Sequence, residues 1–141
     1  FILGILVKFA LNIKANFFMK KEWFFFPMGY LMRALGGVAI QRNKKMRMTD
    51  AMAAEFEKHE SLCVAITPEG TRSYNPDWKK GFYFIAEKAG VPIVFASLDF
   101  KKKEIKLGEQ FITTGNVDAD MAQIKAYYKD VNAKFPEKFG M

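Results

Sequence analysis

The chain holds one cysteine and one histidine in 141 residues, and no long uninterrupted hydrophobic run. A lone cysteine excludes an internal disulfide. Cys63 lies inside the apolar run Leu62-Cys63-Val64-Ala65-Ile66, where a buried structural thiol is expected rather than a nucleophile. His59 stands in Glu55-Phe56-Glu57-Lys58-His59-Glu60, at the charged end of an expected helix, with no aspartate five residues later. It reads as a solvated side chain near a helix C-terminus, not as a catalytic base. No segment reaches the roughly 18 continuous apolar residues that span a bilayer. Lys8 interrupts the first apolar run, and Pro27, Gly29 and Arg33 punctuate the second. No cluster of metal-ligating residues appears, so no metal site is expected. Acidic residues are in deficit, 15 against 22 lysines and arginines. The resulting net charge of +7 favours anionic partners such as phosphorylated small molecules, acidic carrier proteins, lipid headgroups or nucleic acid, without choosing among them.

Hydrophobic residues are plentiful, at 50% of the chain with 15 phenylalanines, which excludes disorder and sets a globular core. The length suits one core, so residues 1–141 are expected to form a single domain. Residues 1–12 are apolar nearly all round and predict a buried helix, and a short strand is expected over Asn16–Met19. Trp23-Phe24-Phe25-Phe26-Pro27-Met28-Gly29-Tyr30-Leu31-Met32 predicts a turn and a short helix ending near Gly36-Gly37. Its aromatics are expected in the core, against the alternatives of an acyl-chain groove or a membrane surface. Val38–Gln41 reads as a strand delivering Arg42, and Asn43–Arg47 as a basic turn. Thr49 is the expected cap of a helix over Asp50–Glu60, with Met52 and Phe56 facing inward, and Leu62–Ile66 follows as a strand. Strand, helix, strand with continuous apolar strands implies parallel pairing, which brings the residues after both strands to one sheet edge.

Further on, Pro76–Gly81 reads as a loop, Phe82–Ala89 as a helix closed by Gly90, and Pro92–Phe100 as a strand. Lys101-Lys102-Lys103 reads as a hairpin turn into Glu104–Leu107. Asp118 is expected to cap a last helix whose stripe is Met121, Ile124, Tyr128, Val131 and Phe135, ending at Pro136.

The most informative segment is Thr67-Pro68-Glu69-Gly70-Thr71-Arg72-Ser73, delivered by the apolar run 62–66. Gly70 lets a ligand approach the backbone, and Arg72 offers a planar fork of donors suited to phosphate. A surface turn with a Glu69–Arg72 ion pair is the alternative. Pro68-Glu69-Gly70-Thr71-Arg72-Ser73 resembles the signature of the glycerolipid acyltransferases, the lysophosphatidic acid acyltransferase family. Gly36-Gly37-Val38-Ala39-Ile40-Gln41-Arg42 resembles the family's Gly-x-x-x-Ile-x-Arg block, and Val91-Pro92-Ile93-Val94 its proline-containing strand. Gln41 stands where the family often has aspartate, Thr67 where it has an aromatic and Phe95 where it has a second proline, which puts substrate choice in question. The family's N-terminal His-x-x-x-x-Asp block has no counterpart in these residues, and the resemblance implies that this catalytic pair lies upstream of Phe1, with no catalytic residue in this chain.

The resemblance implies an α/β fold with a mixed, largely parallel sheet flanked by helices, glycerol-3-phosphate acyltransferase-like. It further implies transfer of a fatty acyl group from acyl-CoA or acyl carrier protein to a lysophospholipid hydroxyl, that of 1-acyl-glycerol 3-phosphate, in phospholipid synthesis. No cofactor is implied. The partners would be the lysophospholipid acceptor, the acyl donor and a membrane surface, with a peripheral location on its cytoplasmic face. Arg42 and Arg72 would grip the acceptor phosphate with help from Lys21, Lys79 or Lys80. Glu69 would orient an arginine or accept from a glycerol hydroxyl, or else anchor its own loop, while Gly70, Thr71 and Ser73 would line the site. A noncatalytic relative that binds lysolipid or acyl carrier protein is the alternative. Nucleic-acid binding is disfavoured, because the aromatics cluster in apolar runs instead of alternating with basic residues.

Overall fold

The computed structural model describes residues 14–40, 47–71 and 73–140. The expected first helix, the basic turn up to Met46, Arg42 and Arg72 lie outside the described residues. The chain divides into two compact units, Phe1–Ile66 and Thr67–Met141.

In the first unit, strand β1 (Ala15–Lys20) is the middle of a three-stranded parallel sheet, between β2 (Gly37–Ile40) and β3 (Cys63–Val64). Phe17 pairs with Gly37 and Lys20 with Ile40 on one side, and Ala15 with Cys63 and Asn16 with Val64 on the other. Parallel neighbours need a crossover, and a helix supplies each one: α1 (Met28–Ala34) between β1 and β2, and α2 (Met48–Glu57) between β2 and β3. Phe56 of α2 meets Phe18 of β1 edge to face at 6.4 Å, as its expected inward position requires. Asn16 fastens both flanks of β1, its side-chain amide donating to Gly36 O (3.2 Å) and its carbonyl accepting from Ala65 N (2.8 Å).

Four expectations in this unit are corrected. Thr49 does not cap α2: the amides of Asp50 and Ala51 both donate to Arg47 O, so the helix begins earlier and Thr49 is already inside its first turn. The same helix ends at Glu57, not Glu60, where Lys58 N tightens onto Glu55 O. Strand β3 pairs over two residues only, and Cys63 is exposed instead of buried. Bonded among the described residues to β1 alone, β3 alternates as an edge strand, turning Leu62 and Val64 inward and the thiol outward. Finally, most of the aromatics of residues 23–31 are not core. Phe26, in the turn before α1, is 83% exposed, and Tyr30 is 71% exposed because the inward face of that short helix is filled by Gly29 and Met32.

The second unit holds a β-hairpin, β4 (Ile93–Asp99) and β5 (Glu104–Phe111), in antiparallel register from Asp99 opposite Glu104 to Ile93 opposite Phe111. Lysines 101–103 form its turn, steadied by Lys102 N donating to the Asp99 carboxylate at 2.8 Å. Helix α3 (Gly81–Ala89) closes on Gly90, which takes the left-handed conformation at φ 63° as expected of a glycine cap. Helix α4 (Val117–Tyr128) is capped by Asn116, whose side chain accepts from Ala119 N, and not by Asp118, whose carboxylate pairs with Lys80 at 2.7 Å. The expected apolar stripe also ends early. Met121 and Ile124 are buried, but the helix stops at Tyr128, and Phe135 is exposed. Asn132 draws the chain off the helical path by donating to Asp99 (2.8 Å) and accepting from Phe100 N (2.8 Å).

The core of this unit is Trp78, Tyr83, Phe95, Met121 and Ile124. Its polar groups are paired. Trp78 Nε1 donates to Gly140 O at 2.7 Å, and the Asp120 carboxylate accepts from Tyr83 Oη, Thr114 N and Thr114 Oγ1 at 2.7–2.8 Å. Burial pushes the Asp120 carboxyl up, but those donors outweigh it and hold the group below the usual range. The parallel sheet and the antiparallel pair together give the mixed α/β class read from the sequence.

Candidate functional site

Because the three strands of the first unit are parallel, β1, β2 and β3 end at one edge of its sheet. Lys21 begins a short 3-10 helix, Lys21–Trp23, directly after β1 and is exposed.

In the second unit the loop after β3 is built by its backbone and by one asparagine. Lys79 N donates to Pro68 O at 2.8 Å. The Asn75 side-chain amide donates to Glu69 O (2.9 Å) and Asp77 O (3.1 Å), and its oxygen accepts from Asp77 N (3.1 Å). Thr71 Oγ1 accepts from Ser73 N at 3.2 Å, a local turn that sets the exposed Thr71 and Ser73. Sequence reasoning did not single out Asn75. Its signal was present in Asn75-Pro76-Asp77, a turn-initiating pattern whose side chain commonly bonds the backbone two residues on.

Gly70 lies at φ 65°, the left-handed region that glycine enters without strain. A Cβ there would stand 3.0 Å from Lys79 Cδ and 3.4 Å from Lys79 Nζ, so the missing side chain is what admits the lysine stem and its ammonium beside the loop. Glu69 is half-buried, and loss of hydration raises its carboxyl above the ordinary value. Among the described residues no donor reaches that carboxylate, and the anchoring of the loop falls to Asn75 and Lys79. Lys80, by contrast, holds Asp118 at 2.7 Å, and its hydrogen bond and charge keep the Asp118 carboxyl below the usual range. The structure thus gathers Glu69, Gly70, Thr71, Ser73 and Lys79, and turns Lys80 to an ion pair.

His59 is exposed, 3.9 Å from Glu55, as a solvated histidine should be. Among the described residues no helix is long and apolar enough to cross a membrane.

The local arrangement sets a lysine stem against a glycine backbone in an exposed loop. The Lys79 ammonium lies beside the Gly70 backbone, and among the described residues the Glu69 carboxylate accepts no hydrogen bond. Comparison with known proteins places the chain in a family. The model of the acyltransferase family matches residues 2–98, a span that includes the Gly36–Arg42 block, the Glu69 loop and the Val91–Val94 strand. Human 1-acyl-sn-glycerol-3-phosphate acyltransferase beta is 33% identical over 110 residues, covering 74% of this chain and 40% of the human protein. The chain spans about two fifths of the length of that curated relative. No solved structure matches. With the family's match covering well over half of the residues and its signature loop intact, the chain belongs to the acyltransferase family and resembles the glycerolipid acyltransferases within it.

Proposed function

We propose that the protein transfers a fatty acyl group from an acyl thioester, acyl-CoA or acyl carrier protein, to the free hydroxyl of 1-acyl-glycerol 3-phosphate. The work is done peripherally at a membrane surface, in phospholipid synthesis. The acceptor oxygen forms an ester bond to the thioester carbon, the carbon–sulfur bond breaks, and the hydroxyl proton ends on the departing thiol. Such a transfer requires a base for the hydroxyl, a grip on the acceptor that aims it, and donors for the developing oxyanion.

The grip belongs to Arg42 and Arg72, with Lys79 contributing charge beside Gly70 and Lys21 assisting, whereas Lys80 is engaged by Asp118. A half-buried carboxylate beside a phosphate dianion would repel it, so Glu69 orients an arginine or accepts from a glycerol hydroxyl. One observation carries this reading: Asn75 and Lys79 bear the anchoring of the loop, leaving the Glu69 carboxylate for another partner. The base is assigned to the family's His-x-x-x-x-Asp block, a pattern that residues 1–141 do not contain.

Thiol release from a long-chain acyl-CoA tests the reading, with lysophosphatidic acid compared against the same acceptor lacking its phosphate. In the native full-length protein, loss of the phosphate and Arg72→Ala should each raise the acceptor KM, since both remove a charge-assisted contact. Equal rates with both acceptors would refute the phosphate grip. Tight lysolipid binding without any thiol release would favour the noncatalytic relative instead.

A further inference from the structure

The first unit presents an apolar surface that its own sheet does not use. Trp23, Phe25, Phe26, Tyr30 and Leu31 are 55%, 57%, 83%, 71% and 52% exposed. They are neighbours in the chain around the start of α1, and Phe26 and Tyr30 touch edge to face at 6.2 Å. Four of the five are aromatic, and tryptophan and tyrosine are the residues that settle at the level of lipid headgroups, with an apolar body inward and a polar tip in water. The flanks are basic. Lys20, Lys21 and Arg33 are exposed, against Glu22 as the one acidic residue between positions 20 and 34. Arg33 lies 6.0 Å from the Phe24 ring centroid, which keeps its charge beside the aromatic cluster.

We infer that this aromatic patch with its basic flanks is an interfacial membrane-docking surface, inserting Phe25, Phe26, Tyr30 and Trp23 among the headgroups of an anionic bilayer. Charge complementarity selects the occupant: cations beside exposed aromatics match an acidic lipid surface and gain both from buried apolar area and from the negative surface potential. The inference deepens the proposed reading of a lipid acceptor and rests on it for its purpose, but it concerns the face that docks, not the residues that react.

Two tryptophans make the test direct, because Trp78 is already buried at 7% exposure whereas Trp23 is open. Vesicles of phosphatidylcholine with phosphatidylglycerol, containing no lysolipid, should shift the emission of the 141-residue chain to the blue, and Trp23→Phe should abolish the shift. Phe26→Ser with Tyr30→Ser should lower vesicle partition about tenfold or more. Lys20→Gln and Arg33→Gln should each lower it about fivefold on anionic vesicles and leave neutral vesicles unaffected. Ile112→Ser, at an exposed apolar position of the second unit, should change nothing. An unshifted emission, or equal partition by all variants, would overturn the inference. So would conversion of an oligomer to monomer by Phe26→Ser in light scattering, which would make the patch a contact between copies. Turnover of a dispersed short-chain acceptor by the Phe26→Ser, Tyr30→Ser variant of the full-length protein should match the parent. Loss of turnover there would overturn the separation of docking from chemistry, whereas absence of turnover in the parent would count against the proposed reaction alone.

Discussion

Residues 67–141 bury Trp78, Tyr83, Phe95, Met121 and Ile124 in one cluster and match the polar groups among them with donors or acceptors. Among the described residues of 1–66, the buried hydrophobic side chains are Met32, Ile40 and Ala53, while a tryptophan, two phenylalanines and a tyrosine near α1 lie open. The second unit gathers Trp78, Tyr83 and Phe95 into its own core. The first packs Phe18 against Phe56 beside its parallel sheet but leaves the aromatics around the start of α1 outward. Local hydrophobicity is the same currency in both, so composition does not separate a core aromatic from one held for a partner; partnered neighbours do.

The largest break in that comparison should come from the core. Ile124→Ala in the second unit should cost about 2–5 kcal/mol in denaturant unfolding, by lost burial and the cavity it leaves. Next are two glycines with the same backbone and different surroundings. Gly90→Ala, at φ 63° with open space around the new Cβ, should cost about 1–2 kcal/mol and leave turnover unchanged. Gly70→Ala has the same backbone strain but also meets Lys79, so it should lower acyl transfer as well as stability. Equal activity losses at both positions would erase the distinction between a cap and a site.

How much of this was legible follows the physics of each signal. The parallel strands could be read because branched apolar runs alternated with a helical segment, and Gly90 because a glycine ending a helix has a single conformational use. The two caps were misread, since Thr49 and Asp118 have the right chemistry but the chain starts its turns at Arg47 and Asn116. Cys63 was misplaced because an apolar run does not reveal that its strand is an edge. At the site, Glu69, Gly70, Thr71 and Ser73 were legible as one contiguous motif. Asn75 was not, because its work is to hold the carbonyls of Glu69 and Asp77, a bond set by the path of the loop.

A smaller effect distinguishes the hairpin of the second unit. The Lys102 amide, with the Asn132 side chain and amide, lowers the Asp99 carboxyl to about 2 despite its burial. A depressed folded value stabilises above the unfolded value, about 4, and that contribution fades as pH falls from about 4 towards 2. The stability gap between the parent and Asp99→Asn should therefore be constant above about pH 5 and close below it, in pH-dependent unfolding. Smallest of all, Phe26→Ser should change stability by no more than about 0.5 kcal/mol, as befits a residue already in water.

The most direct test of the central claim is acceptor-dependent thiol release from acyl-CoA by the native full-length protein, set beside the 141-residue chain and a full-length Glu69→Ala variant. The account predicts release in the full-length protein only, reduced about a hundredfold by Glu69→Ala through a misplaced acceptor. Release by the 141-residue chain itself would contradict the assignment of the base and return it to His59, and an unimpaired Glu69→Ala variant would contradict the assigned role of the loop.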